Sequence, residues 1–191
     1  MDWAVDFLST VNKDDVRIIR DTLEAKLKAE SGQYGEAARI LWEILVQVRH
    51  AKKRQWECIT MVHMGKVYRA LRWRIAEQLF EDALPLAEEI GFTHAKVMCL
   101  AELGEMKCQW GQFDEALDLF GKALALLDES DMENRRMLML DTVVAHEGLD
   151  DLERCRSLLE EVITIDRQIG CEDVEEDMAH LDRIVQAIGA G

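Results

Sequence analysis

Apolar and small residues recur along residues 100–123 at the spacing of two consecutive α-helices. The first predicted helix has apolar positions at i, i+3 and i+4 and ends at a glycine. Its pattern residues are Leu100, Leu103, Gly104 and Gly111. Those of the second predicted helix are Phe113, Ala116, Phe120 and Ala123. Because two helices approach closely where a small residue meets a large one, the pattern predicts a hairpin with Gly104 and Ala116 buried at crossings.

The same pattern occurs four times in the chain, at intervals of 39, 40 and 39 residues. One column of equivalent positions holds small residues: Ala37, Ala76, Ala116 and Cys155. The column before it is Tyr34, Trp73, Phe113 and Leu152. The two columns after it are Leu41, Phe80, Phe120 and Leu159, then Ile44, Ala83, Ala123 and Val162. Four columns in phase predict four consecutive helical hairpins.

The hairpin of residues 100–123 resembles the tetratricopeptide repeat (TPR). The resemblance rests on Leu100, the pair Leu103-Gly104, Ala116 followed by Phe120, and Ala123. The longer period is similar to that of the extended repeats of kinesin light chains and bacterial peptide-sensing regulators. The resemblance implies an all-α, right-handed α-α superhelix, a TPR-like solenoid of four hairpins plus terminal helices. It also implies a ligand groove on the concave surface, lined by the first helix of each repeat.

The predicted organisation is a single TPR-like domain over residues 1–191. It comprises an N-terminal helix in 1–12, repeats at 13–50, 51–91, 92–129 and 130–170, and a capping helix in 171–191. The first helix of repeat one is expected to pack through Val16, Ile19, Leu23 and Leu27. The capping helix is expected to carry Met178, Leu181, Ile184, Val185 and Ile188 on one side. Because proline lacks a backbone N–H, the helix around Pro85 is expected to bend or break between Glu81 and Pro85.

The composition excludes several classes of protein. About half of the residues are apolar and the net charge is −15, which is unfavourable for a general nucleic-acid binder. No leader pattern opens the chain, and no apolar run approaches about 18 residues, so a cytoplasmic protein without a membrane span is expected. The five cysteines and five histidines show no metal-ligand or catalytic spacing. We therefore expect no enzyme activity, no cofactor and no metal.

A stripe beside the packing columns of each first helix is expected to face the groove. Its residues are Ile19, Thr22 and Lys26; Ile59, Val62, Lys66 and Arg69; Met98, Ala101 and Glu105; and Arg135, Leu138 and Thr142. The apolar members suit an extended or helical peptide. The alternative is that the stripe packs on the chain's own terminal helices. TPR proteins that bind a carboxylate-ended peptide use a clamp of basic and asparagine residues on these helices. The stripe contains no asparagine, and Glu105 would repel a carboxylate, so such a clamp is not supported.

Residues 49–74 hold eight cationic residues and a single acid, Glu57. A basic band within this segment comprises Lys52, Lys53, Arg54, Arg72 and Arg74. We predict that the band binds an acidic partner, because its first three cations stand where a helix dipole disfavours positive charge. One candidate is a second copy of the chain, through Glu172, Asp173, Glu175, Glu176 and Asp177. The alternative for those acids is dipole complementation and solvation.

The function that the sequence favours is non-catalytic binding of a protein or peptide in the groove. Two alternatives stay open. The first is a self-assembling scaffold with head-to-tail contacts between copies, and the second is a regulatory subunit of an enzyme.

Overall fold

The computed structural model describes residues 13–71 and 74–190. In these ranges it contains nine α-helices and no strand. They are α1 (Lys13–Glu30), α2 (Tyr34–His50), α3 (Arg54–Ala70), α4 (Ile75–Glu89), α5 (Thr93–Gln109), α6 (Phe113–Leu124), α7 (Met132–Gly148), α8 (Leu152–Ile169) and α9 (Val174–Ala190). The prediction of an all-α chain of helical hairpins is confirmed. The predicted helix in residues 1–12 lies outside the described residues.

The chain divides into two compact units between Ala95 and Lys96. In the first unit each helix packs on the next, and α1 also contacts α3. In the second unit α6 packs on α7, α7 on α8 and α8 on α9. A cluster around Val143, Cys155, Leu159 and Ile184 forms the core between the last three of these helices.

The repeat columns form the packing layers of both units. Ala37, Ala76, Ala116 and Cys155 are fully buried, and so are the members of the two columns that follow them. The sulfur of Cys155 donates to the carbonyl oxygen of Val143 over 3.6 Å, so the thiol fills an alanine position without an unmet polar group. Trp73 lies outside the described residues.

Three glycines lie directly beneath phenylalanine rings. A Cβ atom added to Gly65 would lie 2.5 Å from Phe80, and one added to Gly104 would lie 2.4 Å from Phe120. The third pair joins α7 to α6, where a Cβ on Gly148 would lie 2.3 Å from Phe113. These distances are far below ordinary carbon contacts, so the predicted packing of small against large residues at Gly104 and Ala116 is confirmed.

The helix α4 runs unbroken through Pro85, so the predicted break is wrong. Pro85 is exposed. At an exposed position, water can bond the carbonyl group that the proline leaves without a donor. A bend at this position stays a prediction.

The apolar residues of α1 and α9 divide between two faces. On α1 the buried positions include Ile18 and Ala25, whereas Val16, Leu23 and Leu27 are exposed, contrary to prediction. On α9 the buried side holds Ile184, with Leu181 and Ile188 packed beside it, but Met178 and Val185 are exposed. Periodicity identified the helices correctly, but apolar character alone did not identify the face that packs inside the chain.

Candidate functional site

The first-helix face of unit 1 consists of the predicted stripe residues of α1 and α3. Ile19, Thr22, Ile59 and Arg69 are partly buried, while Lys26 and Lys66 are exposed. Val62 is a correction to the prediction, because its side chain is only 2% exposed and belongs to the core. The face therefore combines apolar area from two isoleucines with cationic side chains from both helices.

His63 also belongs to this face, although it was not among the predicted residues. Burial, together with the nearby charges of Lys66 and Lys26, lowers the pKa of His63 to about 4. The two lysines come from α3 and α1, so cationic side chains of both helices lie near the same imidazole. Lys66 stands three residues after His63, a helical spacing that was visible in the sequence. The approach of Lys26 depends on the packing of α1 against α3.

The first-helix face of unit 2 consists of stripe residues on α5 and α7. Met98, Ala101, Glu105, Arg135 and Thr142 are partly buried. The Thr142 hydroxyl donates to the carbonyl oxygen of Leu138 over 2.7 Å. Leu138 is the second correction, because it is 3% exposed and offers no surface to a ligand.

The electrostatic environment of unit 2 differs on this face. Burial raises the pKa of the Cys108 thiol, and the carboxylates of Asp141 and Glu105 raise it further. These two acids come from α7 and α5, so negative charge converges near Cys108. Asp141 was missed in the sequence because it stands between the packing column and the predicted stripe.

Two cations of the basic band have carboxylate partners within the chain. The Lys53 ammonium lies 2.5 Å from an Asp15 oxygen. Arg54 pairs with Glu89 of α4 and lies 3.9 Å from Glu57. Their charge therefore requires no external anion, because folding brings distant acids to them.

The other members of the band are placed as follows. Lys52 and Arg74 are exposed, and Arg72 lies outside the described residues. The prediction that the band binds an acidic partner stays a prediction for the exposed cations.

The acidic start of α9 also has a partner within the chain. Arg136 of α7 bonds Asp166 of α8 and lies 2.6 Å from a carboxylate oxygen of Asp177. Asp173 lies 3.8 Å from the same guanidinium. Burial, and a hydrogen bond with the Asp166 carboxyl, raise the pKa of Asp177. Arg136 thus links α7 to α8 through Asp166 and to the start of α9 through Asp173 and Asp177, which are two of the acids that were predicted to reach a second copy.

The described residues offer little reactive chemistry. Burial is the main cause that raises the pKa of Cys58 and of Cys155 to about 11, so both remain protonated thiols at neutral pH. In the described ranges, no three histidine, cysteine or acidic side chains are grouped so that they would hold a metal ion. No helix there is long and apolar enough to span a bilayer.

Residues 72–129 match the family model of the tetratricopeptide repeat. No curated protein matches the chain by sequence.

Three solved structures share the arrangement of the helices. BtubC (BKLC) from P. vanneervenii aligns with a TM-score of 0.80 and 18% identity, over 92% of this chain and 76% of that one. A kinesin light chain protein of Podosopora anserina with nearly identical TPR-like repeats gives a TM-score of 0.74 and 18% identity, over 91% and 88%. MamA RS-1 aligns with a TM-score of 0.58 and 16% identity, over 91% of this chain and 95% of that one. The chain therefore has a TPR-like helical-repeat fold, and its residues 72–129 match the TPR family model.

Proposed function

We propose that this chain is a non-catalytic interaction module whose partner, a protein or peptide, binds the first-helix faces. The TPR-like fold supports a role in protein interaction or scaffolding, since helical repeats present extended surfaces for partners. The buried thiols of Cys58 and Cys155, whose pKa values are raised to about 11, are not nucleophiles at neutral pH.

The observation that carries the proposal is the presence of cationic side chains from two packed helices, Lys26 of α1 and Lys66 of α3, on one face. Both ammonium groups are exposed, and they stand on the same face as the partly buried Ile19 and Ile59. Apolar area beside positive charge suits a peptide that places an apolar side chain between the helices and an acidic group near Lys26. We therefore assign the main contact to the face of unit 1.

A charge reversal with a matched control tests this assignment. Lys26 is 61% exposed and pairs with Glu30 four residues later, whereas Lys122 of α6 is 58% exposed and pairs with Asp118 four residues earlier. Both substitutions to glutamate replace an exposed lysine in a single-helix ion pair. We expect Lys26→Glu to weaken binding about tenfold and Lys122→Glu to leave it unchanged.

The partner is first identified by mass spectrometry of proteins retained on the immobilised parent chain. A purified partner is then titrated against the parent and both variants by calorimetry. Equal affinity for Lys26→Glu and Lys122→Glu would contradict the assignment to unit 1. Absence of any partner above the level of an unrelated helical protein would contradict the interaction role.

The basic band is the weaker candidate surface, because Lys53 lies 2.5 Å from the buried Asp15 and Arg54 pairs with Glu89, whereas the Lys26–Glu30 pair is longer, at 3.8 Å, and exposed at both ends. Lys52→Glu tests it in the same titration. Binding lost in that variant but kept in Lys26→Glu would move the contact from the first-helix face to the band.

A further inference from the structure

The helices α1 and α9 each expose a row of apolar side chains. On α1, Val16, Leu23 and Leu27 are 57%, 56% and 64% exposed. On α9, Met178 and Val185 are 43% and 47% exposed. Single exposed apolar residues are ordinary, but the members of each row lie on one side of their helix, and Leu23 and Leu27 are neighbours one turn apart. These rows are therefore candidates for contact with another molecule.

A charged residue stands in the middle of each row. The α1 row reads Val16, Arg20 and Leu23 at positions i, i+4 and i+7, with Leu27 after them. The α9 row reads Met178, Asp182 and Val185 at the same three positions. The two rows thus share the order apolar, charged, apolar, and their central charges are opposite. Met137, Asp141 and Val144 of α7 repeat this order, but Asp141 is partly buried, whereas Asp182 is exposed.

The central charges are available for a contact. The Arg20 side chain is 71% exposed, although it donates to Asp21 over 2.9 and 2.7 Å. A guanidinium carries five N–H donors, so the bond to Asp21 leaves donors for a second carboxylate. Asp182 is exposed on α9.

We propose that the α1 row of one copy packs against the α9 row of a second copy. The matching spacing places Arg20 opposite Asp182 whether the helices run parallel or antiparallel, with apolar side chains on both sides of the ion pair. Pairing of two α1 rows would instead bring Arg20 against a second Arg20. Pairing of two α9 rows would bring Asp182 against a second Asp182. Charge therefore favours the pairing of unlike rows.

The pairing joins different surfaces of two identical molecules, so each copy in a pair keeps one unused row. Such heterologous contacts continue into open chains or close into rings. A contact between two helices is small, so the association is weak and depends on protein concentration. The α1 row adjoins the first-helix face of unit 1, since Leu23 stands four residues after Ile19, but its test measures self-association and needs no other partner.

Two single variants and their mixture distinguish this pairing from the others. Leu23→Glu disables the α1 row and keeps the α9 row intact. Val185→Lys disables the α9 row and keeps the α1 row intact. Because each variant lacks one half of the contact, each is expected to be a monomer, whereas an equimolar mixture forms a one-to-one dimer that grows no further. Val46→Lys, at a 54% exposed position of α2, is the matched control and associates like the parent.

Sedimentation velocity over a range of concentrations, with circular dichroism to verify folding, provides the readout. Association of Val185→Lys alone would indicate that two α1 rows pair, and association of Leu23→Glu alone would indicate that two α9 rows pair. Either result overturns the proposal. A parent chain that is monomeric at every concentration overturns it as well.

A charge exchange tests the central pair without adding a charge to an apolar position. Arg20→Glu and Asp182→Arg are each expected to weaken association about fivefold, and the double variant is expected to recover the parent affinity. A double variant that is no stronger than the single variants overturns the assignment of Arg20 to Asp182.

Discussion

Each unit contains an ion pair that joins helices distant in sequence, but the two pairs differ in burial. In unit 1, Lys53 bonds Asp15, and the two side chains are 25% and 12% exposed. In unit 2, Arg136 bonds Asp166 and Asp177, and these side chains are 11%, 0% and 11% exposed. Asp15 and Asp177 are about equally buried, but Lys53 is a quarter exposed and compensates one acid, whereas Arg136 is almost buried and compensates two, of which Asp166 is fully buried. The comparison therefore separates the loss of a cation that serves one largely buried acid from the loss of a cation that serves two.

Removal of the cation is predicted to have different costs in the two units. Arg136→Met leaves Asp166 and Asp177 buried without a cation and should lower the free energy of unfolding by about 3 to 5 kcal/mol. Lys53→Met should cost less, about 1 to 3 kcal/mol, because it leaves one acid, Asp15, whose side chain is 12% exposed, whereas Asp166 is fully buried. Urea denaturation of both variants measures the difference. In the Arg136→Met background, Asp166→Asn with Asp177→Asn should recover part of the loss.

Equal losses for Arg136→Met and Lys53→Met would contradict this comparison. They would indicate that water reaches Asp166 as readily as it reaches Asp15.

The packing layers, in contrast, are predicted to respond equally in the two units. An alanine Cβ at Gly65 or Gly104 collides with Phe80 or Phe120, so each substitution should cost up to about 3 kcal/mol. Gly121→Ala is the control, because its Cβ meets no atom within 4 Å. A helix-interior glycine without a steric role should gain about 0.5 to 1 kcal/mol on this change.

Thermal unfolding compares these variants. Replacing the ring by a smaller side chain, as in Gly104→Ala with Phe120→Leu, should recover part of the loss of stability at that site. Stability unchanged by Gly65→Ala and reduced by Gly104→Ala would show that the two crossings are not equivalent.

The contrast between the packing columns and the ion pairs explains which features of the fold could be predicted from the sequence. The columns through Ala116 and Phe120 were predictable, because a close helix crossing requires the same residue sizes in every repeat. The pairing of Arg136 with Asp166 was not, because the two residues are 30 positions apart and no periodic pattern links them. Val62 and Leu138 were misassigned for a related reason. Positions beside the core become buried when the crossing angle of a neighbouring helix brings it over them. A periodic sequence pattern contains no information about crossing angles.

The two units contain groups with opposite responses to acid, His63 in unit 1 and Asp177 in unit 2. The folded-state pKa of His63, about 4, lies below its ordinary value of 6.5. The unfolded chain therefore binds the proton first, and stability falls as the pH decreases from about 6.5 toward 4. The loss should reach up to about 2 kcal/mol at pH 5. His63→Gln should remove this loss, and His50→Gln, at an exposed position of α2, serves as the control.

Asp177 of unit 2 shifts in the other direction. Its pKa is raised in the folded chain, so the folded chain binds the proton before the unfolded chain does. Acidification through the folded-state pKa of Asp177 therefore favours the folded form. Urea denaturation at pH 7 and pH 5 measures the response of the parent and of His63→Gln. Stability that decreases equally with pH in both proteins would assign the acid response to groups other than His63.

The smallest predicted effect concerns one turn in each unit. Lys52 and Asp150 have positive φ values of 54° and 58°. Each occupies the position after a helix end where the following N–H reaches back to the helix: Lys53 N donates to Val48 O over 2.9 Å, and Asp151 N to His146 O over 3.0 Å. Glycine adopts this conformation without steric cost, and it fills the equivalent position at Gly91, where φ is 67°.

Lys52→Gly should therefore stabilise the chain by about 1 kcal/mol, whereas Lys52→Ala, which keeps the Cβ, should not. Asp150→Gly should gain less, because a short polar side chain makes the left-handed conformation less costly for aspartate than for lysine. Lys52→Gly and Lys52→Ala together separate backbone strain from charge at the basic band. Both substitutions remove the ammonium group, but only glycine removes the strain. If Lys52→Gly and Lys52→Ala raise the midpoint of urea denaturation equally, the gain comes from removing a cation at the start of α3, and the turn is not strained.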